Sequence, residues 1–231
     1  MSKLPNIEGK TIVETLKFLC EQNEGKVVFT TSFGFEDQVV TDIICTNNLP
    51  IEIVTLDTGR LFEETYKVFN RTIEKYNIHI KTYHPSGNEV GELLEKKGPF
   101  SFYESVENRK ECCYIRKVKP LQKALNEKKV WITGLRAEQS ENRQTLDPIQ
   151  WDKGFEIIKY NPLHDWTLES VKQYIKQHHI PYNVLHDKGF VSIGCAPCTR
   201  AIQPGENFRA GRWWWEDNSK KECGLHTQGE Q

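Results

Sequence analysis

The chain has 231 residues, 37 % hydrophobic and 27 % charged, which is enough to bury a substantial core and ordinary for a globular domain. Its 31 Lys and Arg against 32 Asp and Glu leave a net charge of −1, which argues against a general nucleic-acid binder. No apolar run approaches the length that crosses a bilayer, and MSKLPNIEGK (1–10) lacks the apolar stretch of a secretory signal, so a cytoplasmic protein is expected.

Residues 10–22 (KTIVETLKFLCEQ) place Ile12, Leu16 and Leu19 at helical spacing. KVVFTTS (26–32) is a β-branched run, and FEDQVVTDIICTNN (35–48) returns to a helical pattern. IEIVTLDT (51–58) reads as a strand, LFEETYKVFNRTIEKY (61–76) as an amphipathic helix and IHIKTYH (78–84) as a strand. Residues 89–110 are irregularly helical with a break at Gly98-Pro99, and RKVKPLQKAL (116–125) continues helically from Cys113 with a proline interruption. KVWITGLR (129–136) is a fourth strand, 137–154 is polar and loop-like, and FEIIKYNPL (155–163) is a fifth strand. TLESVKQYIKQHH (167–179) is a helix with Thr167 as N-cap and Leu168, Val171, Tyr174 and Ile175 on one face. Beyond residue 180 the periodicity fades. Strands alternating with helices predict an α/β fold, a mostly parallel sheet of about five strands with flanking helices, followed by a long C-terminal extension. The organisation expected is a body of residues 1–204 and a tail of residues 205–231.

Ligands of open parallel sheets bind beyond the carboxyl ends of the strands. Two such ends here, SFGFED (32–37) and LDTGR (56–60), run straight into helices, where a small residue and a glycine can turn backbone N–H groups toward an anion. Tight βα turns would use the same glycines. The GK[ST] of a Walker A loop is missing.

Seven cysteines is an odd number, and a reducing compartment disfavours structural disulfides. Cys20 and Cys45 lie among apolar residues and read as buried small hydrophobes. Cys112-Cys113 and the CxxC of Cys195 and Cys198 form two pairs, and four thiolates suit zinc or an iron–sulfur cluster. Adjacent helical side chains diverge by about 100°, which makes one ion an awkward common target for Cys112 and Cys113, while a cluster offers separate irons. Two unrelated sets of buried or redox thiols remain the alternative. Cys223 stands apart in KKECGLH (220–226), where Lys220, Lys221 and His226 favour the nucleophilic thiolate. Upstream, NFRAGRWWW (207–215) offers Arg209 and Arg212 as forks for phosphate or sulfate. Trp213, Trp214 and Trp215 cannot all face one core, so at least one is expected to anchor the tail while another is left for a partner surface.

Taken together, SFGFED, LDTGR, CCYIRKVKPL, WITGLRAEQS, SIGCAPCTR, GRWWWE and KKECGLH resemble, in order, the motifs of the assimilatory adenylyl-sulfate reductases of the phosphoadenylyl-sulfate reductase family. The resemblance spans roughly residues 26–226 and implies a fold of the adenine nucleotide alpha-hydrolase (ATP-pyrophosphatase-like) type. It implies thioredoxin- or glutaredoxin-dependent reduction of adenylyl sulfate to sulfite and AMP. By the same resemblance, Cys112, Cys113, Cys195 and Cys198 ligate a [4Fe–4S] cluster, with Lys117 near cluster and substrate. Cys223 is the nucleophile that becomes S-sulfo-cysteine. Ser32, Gly34, Leu56, Asp57 and Gly59 line the nucleotide pocket, and Arg136, Arg143, Arg209, Arg212 and His226 meet the phosphosulfate. Neither a nucleic acid nor a membrane is an expected partner, and a homo-oligomer is left open. The alternatives are a reductase of the 3′-phosphorylated nucleotide, a non-catalytic nucleotide-binding redox or metal sensor, and an ATP-consuming thiolation enzyme, which the absence of an SGGxD-type loop disfavours.

Overall fold

Residues 4–139 and 146–216 are described by the computed structural model. The first helix, α1 (Ile12–Gln22), starts where Thr11 and Glu14 cap each other: Thr11 Oγ1 accepts the Glu14 N–H, and the Glu14 carboxylate accepts the Thr11 N–H at 2.8 Å. Then follow β1 (Val27–Thr31), α2 (Phe35–Thr46), β2 (Glu52–Leu56), α3 (Glu63–Tyr76), β3 (Lys81–Tyr83), α4 (Gly87–Lys97), α5 (Val106–Cys113) and α6 (Lys119–Leu125). The chain continues through β4 (Val130–Ile132), β5 (Ile149–Asp152), β6 (Ile157–Tyr160) and α7 (Leu168–Gln177).

The sheet runs β3-β2-β1-β4-β6-β5. β1 pairs in parallel with β2 and β4, and β4 in parallel with β6, with Phe29 opposite both Ile53 and Ile132. Parallel strands joined by helical crossovers are covered on both faces, so their sequences read as continuous apolar runs rather than alternating ones. Val27, Val28 and Phe29 are all buried, as are Val130, Trp131 and Ile132. β5 is a sixth strand inside the stretch expected to be loop. It has four residues, alternates Ile149 and Trp151 with polar neighbours, and pairs antiparallel with β6 at the sheet edge, so it lacks the buried apolar run that marks the inner parallel strands.

Two compact units divide the described residues. The first takes those up to Thr55, Thr65–Lys81 and Glu127–Asn183, and its core joins Leu16, Leu19, Phe29, Val39, Val40, Ile43, Val171 and Ile175. The second takes Leu56–Glu64, Thr82–Asn126 and the residues from Val184 onward. Its core joins Leu93, Phe102 and Trp213 to three of the cysteines. Among the described residues no helix is long and apolar enough to cross a membrane.

Candidate functional site

The second unit gathers the paired cysteines. α5 begins at Ser105, whose Oγ accepts the Asn108 N–H, and ends on Cys112-Cys113. Pro120 has no N–H to close an ordinary turn, and residues Tyr114–Val118 widen into a π-helical turn, with the Lys119 N–H reaching back to Tyr114 O. The CxxC forms a single tight turn over Ala196–Cys198 in which the Cys198 N–H donates to Cys195 O at 2.9 Å. Cys112, Cys113, Cys195 and Cys198 line one small cavity, together with Arg60, Phe102, Arg109, Arg116 and Lys117. Four cationic side chains around four thiols is the composition of an anion's seat.

The thiols differ. Burial, with neighbouring Cys195 adding to it, pushes Cys198 up to about 12. Burial also raises Cys112, against the pull of Arg116 and Arg60. For Cys195 burial again acts upward, but Lys117, the hydrogen bond with Thr58 Oγ1 at 3.3 Å, Arg212 and Arg116 together outweigh it and hold the thiol below its ordinary value.

Among the described residues, the buried donors Trp213 Nε1, Trp215 Nε1, Arg116 Nε and Arg212 Nε have no hydrogen-bond partner. Trp213 packs in the same cluster as Cys112, Cys195 and Cys198, and Arg116 lines the cavity. Orphaned buried donors are costly, so donors left over beside thiols suit an anionic acceptor. Among the described residues no three His, Cys, Asp or Glu side chains converge on a point that would hold one ion. Four thiols on the wall of one cavity are the donor type that zinc and iron–sulfur centres use.

Residues 199–213 close back on this cavity. Thr199 bridges Arg212, the Arg200 N–H donates to Gly211 O at 2.9 Å, and the Trp213 N–H donates to Cys198 O at 3.2 Å. The guanidiniums of Arg109, Arg212 and Arg209 lie over the Trp213 ring at 4.6, 4.8 and 5.8 Å from its centroid. Arg109 also grips Glu216 with two hydrogen bonds, Nε to Oε1 at 2.9 Å and Nη2 to Oε2 at 2.8 Å, with the side chains 1 % and 3 % exposed. Of the tryptophans, Trp213 is buried, Trp215 half-buried and Trp214 exposed.

In the loop after β2, Asp57 Oδ1 accepts the Gly59 N–H at 2.8 Å, an Asx turn that sets Gly59 at φ 69°. Leu56 ends β2, and Arg116 Nη1 donates to Thr58 O at 2.7 Å. This loop therefore touches the cysteine cavity through Thr58 and Arg60.

In the first unit, the turn after β1 passes through Phe33 at φ 60°, a strained conformation for a bulky side chain, held by stacking on Phe69 at 4.9 Å. Gly34 caps α2, and both the N–H and the Oγ of Ser32 donate to Asp37 Oδ2 at 2.6 Å. A Cβ on Gly134 would overlap the Asp37 carboxylate, so that glycine leaves the acid its room. Arg136 is buried, its Nε on Glu36 at 2.8 Å and its Nη1 on Glu138 at 2.7 Å; Glu138 also accepts the Leu168 N–H that opens α7. Arg143, Cys223 and His226 lie outside the described residues.

Burial, helped by Glu36 and opposed by the Ser32 hydrogen bonds, pushes Asp37 from 3.8 up to about 6. The native state then binds a proton between about pH 4 and 6 that the unfolded chain has released, so this group lowers stability as pH rises through that window, and the full cost persists above it. Asp37→Asn keeps an oxygen for Ser32 and removes the titration. Subtracting its urea-unfolding free energy from that of the wild type across pH 4–7 is expected to show the wild type losing about 2–3 kcal/mol relative to the variant. A flat difference would contradict the raised pKa.

Sequence reasoning missed Thr58, Arg60, Arg109, Arg116 and Glu216. Arg60 stood within the quoted LDTGR, and Arg116 followed the CC pair, so proximity to a motif was the available signal; Glu216 gave none.

The sequence profile described as the phosphoadenosine phosphosulfate reductase domain matches residues 26–201. An adenosine 5′-phosphosulfate reductase of Agrobacterium fabrum is 50 % identical over 205 residues, covering 89 % of this chain and 79 % of that protein. One from Allochromatium vinosum is 47 % identical over 225 residues, covering 97 % and 87 %. Among solved structures, a Candida auris phosphoadenylyl-sulfate reductase in a phosphate complex superposes with a TM-score of 0.71 at 28 % identity, covering 85 % of this chain and 93 % of that one.

Proposed function

Because the chain belongs to the phosphoadenosine phosphosulfate reductase family, we propose that it reduces adenylyl sulfate (adenosine 5′-phosphosulfate) to sulfite and AMP in sulfate assimilation, with thioredoxin or glutaredoxin as electron donor. It is an oxidoreductase acting on a sulfur group, with a fold of the adenine nucleotide alpha-hydrolase type. The observation that carries the substrate and cofactor reading is the gathering of Cys112, Cys113, Cys195 and Cys198 around one cation-lined cavity. These four thiolates would hold a [4Fe–4S] cluster. When bound, the cluster supplies a delocalised anionic neighbour that tunes the field of Lys117 and Arg116. Cluster cysteines favour the nucleotide without a 3′-phosphate.

The sulfur chemistry runs through this chain's own groups. The Cys223 thiolate attacks the sulfate sulfur, the S–O bond to AMP breaks, and AMP leaves with the bonding pair while S-sulfo-cysteine forms. An anionic thiolate approaching an anionic sulfate needs cations to offset repulsion, a part assigned to Lys117, Arg209, Arg212 and His226. Ser32 and Gly34 are assigned to the nucleotide by motif, as are Leu56, Asp57 and Gly59. Arg136 and Arg143 complete the set assigned to the phosphosulfate, and for Arg136 the contact with Glu36 would have to loosen first.

Intact-mass spectrometry of anaerobically purified protein mixed with adenylyl sulfate, without reductant, tests this reading. One added sulfonate on the wild type and none on Cys223→Ser is expected, with little or no adduct from the 3′-phosphorylated nucleotide. No adduct from either nucleotide on folded, iron-loaded protein would sink it.

A further inference from the structure

The aromatic run at 213–215 is only partly used by the site. Trp213 is 1 % exposed, but Trp214 is 40 % exposed. Trp214 stands edge-on to Trp215 at 4.9 Å and to Tyr103 at 6.1 Å, and Tyr103 stacks with Phe100 at 6.3 Å. Phe100 is 63 % and Tyr103 38 % exposed. Scattered exposed apolar side chains need no explanation, whereas contiguous aromatic rings backed by packed ones (here Phe102 and Trp215) have the composition of an interface centre. The patch is also held in place: Tyr103 donates its hydroxyl to Pro197 O at 2.6 Å, Trp213, next in the chain to Trp214, is buried in the cluster with Phe102, and Glu216 is clamped by Arg109.

Position along the chain selects the occupant. Cys223 follows Glu216 by seven residues, and an extended chain advances at most about 3.6 Å per residue, so connectivity keeps its Cα within roughly 25 Å of that of Glu216. A protein thiol that attacks this sulfur must rest its own surface within that reach, and the exposed rings lie at the root of the tether. We propose that Phe100, Tyr103 and Trp214 form the docking surface for the dithiol protein that discharges Cys223, a proposal that rests on the role given to Cys223 above. Redox encounters bury little area, and a few aromatic anchors suffice to hold them.

In the step served by this surface, one thiolate of the dithiol protein attacks Sγ of the S-sulfo-cysteine. A mixed disulfide forms, and sulfite leaves with the electron pair of the broken S–S bond. The second thiolate then attacks its own partner sulfur in the mixed disulfide, which frees Cys223 as thiolate. The dithiol is oxidised to a disulfide, its two protons pass to solvent, and two electrons end on sulfite.

The double variant Phe100→Ser/Trp214→Ser separates this from the nucleotide step. With adenylyl sulfate alone, its S-sulfonation rate, followed by intact mass, is expected within twofold of wild type. Release of sulfite from the preformed adduct is expected to fall at least tenfold in kcat/KM with thioredoxin and to stay unchanged with dithiothreitol. Trp214→Phe should recover most of the loss. Unchanged discharge by thioredoxin would overturn the proposal. So would an equal loss in S-sulfonation, which would put the patch in the nucleotide step, or sedimentation showing that the variant dissociates an assembly the wild type forms, which would make it a self-association face. Failure of the wild type to form any adduct would instead remove the reading of Cys223 beneath it.

Discussion

Glu216→Ala is expected to destabilise the protein by about 3–5 kcal/mol, because it removes the carboxylate that balances the buried Arg109 guanidinium. Both side chains are almost wholly shielded, so water cannot take the carboxylate's place without opening the unit. Arg109 stays over the Trp213 ring and on the wall of the cysteine cavity, its buried charge no longer balanced by the carboxylate. Each 1.4 kcal/mol is a factor of ten in the folded ratio, so the loss is about two to three and a half orders of magnitude. Urea unfolding of the iron-loaded protein measures it. The double variant Arg109→Met/Glu216→Leu removes both charges and is expected to recover most of the stability, since an apolar pair of similar volume replaces a desolvated ion pair at little cost. A loss below about 1 kcal/mol for Glu216→Ala would mean that the clamp is open in solution.

The second large effect is expected from a single methyl group. A Cβ on Gly211 would fall well inside contact of the Arg200 carbonyl oxygen and at 3.1 Å from Ile202 Cγ2. The first of these is backbone, which has no rotamer to escape into. Gly211→Ala therefore forces apart the pairing of 199–200 with 211–213, the contact that sets Arg212 and Trp213 against Cys195 and Cys198. Overpacking of this kind costs about 1–3 kcal/mol, and here the displacement also opens the cavity. Iron content after anaerobic purification is expected to drop by half or more, with faster modification of the cavity thiols by a maleimide. Gly205→Ala serves as the control. At φ 87° it carries backbone strain of about 1–2 kcal/mol but has nothing within 4 Å of its Cβ, so it should lose stability and keep its iron. Equal iron loss in both variants would show that general destabilisation, rather than the 199–213 pairing, controls the cavity.

Much of the site's chemistry was legible along the chain because its residues arrive as pairs. Cys112-Cys113, the CxxC of Cys195 and Cys198, and Lys117 just past the first pair are local patterns, and local patterns survive in one dimension. Strands β1, β2, β3, β4 and β6 and their helices were legible for the same reason: β1, β2 and β4 are largely apolar runs of three to five residues bounded by turn signals, and α1 and α7 carry their own caps. Cys20 and Cys45 lie among apolar neighbours as their setting implied, Cys20 fully and Cys45 partly buried.

What sequence alone determined is therefore the kind of chain and the kind of chemistry: an alternating α/β fold, two pairs of ligand-type thiols, a separate cysteine among cations, and a tryptophan run that no single core could absorb. Only the tertiary structure decided which groups face one another. Arg136, expected to meet an anion, is buried between Glu36 and Glu138, which stand 100 residues upstream and two residues downstream. Ser32, expected to line the nucleotide pocket, gives both its N–H and its hydroxyl to Asp37. Glu216 meets Arg109 across 107 residues, and Thr58 meets Cys195 across 137. Such pairings depend on burial and on the direction of each side chain, which the order of residues along the chain does not encode locally. They are set when the core closes, and they decide which charges stay in solvent and which must find a partner inside.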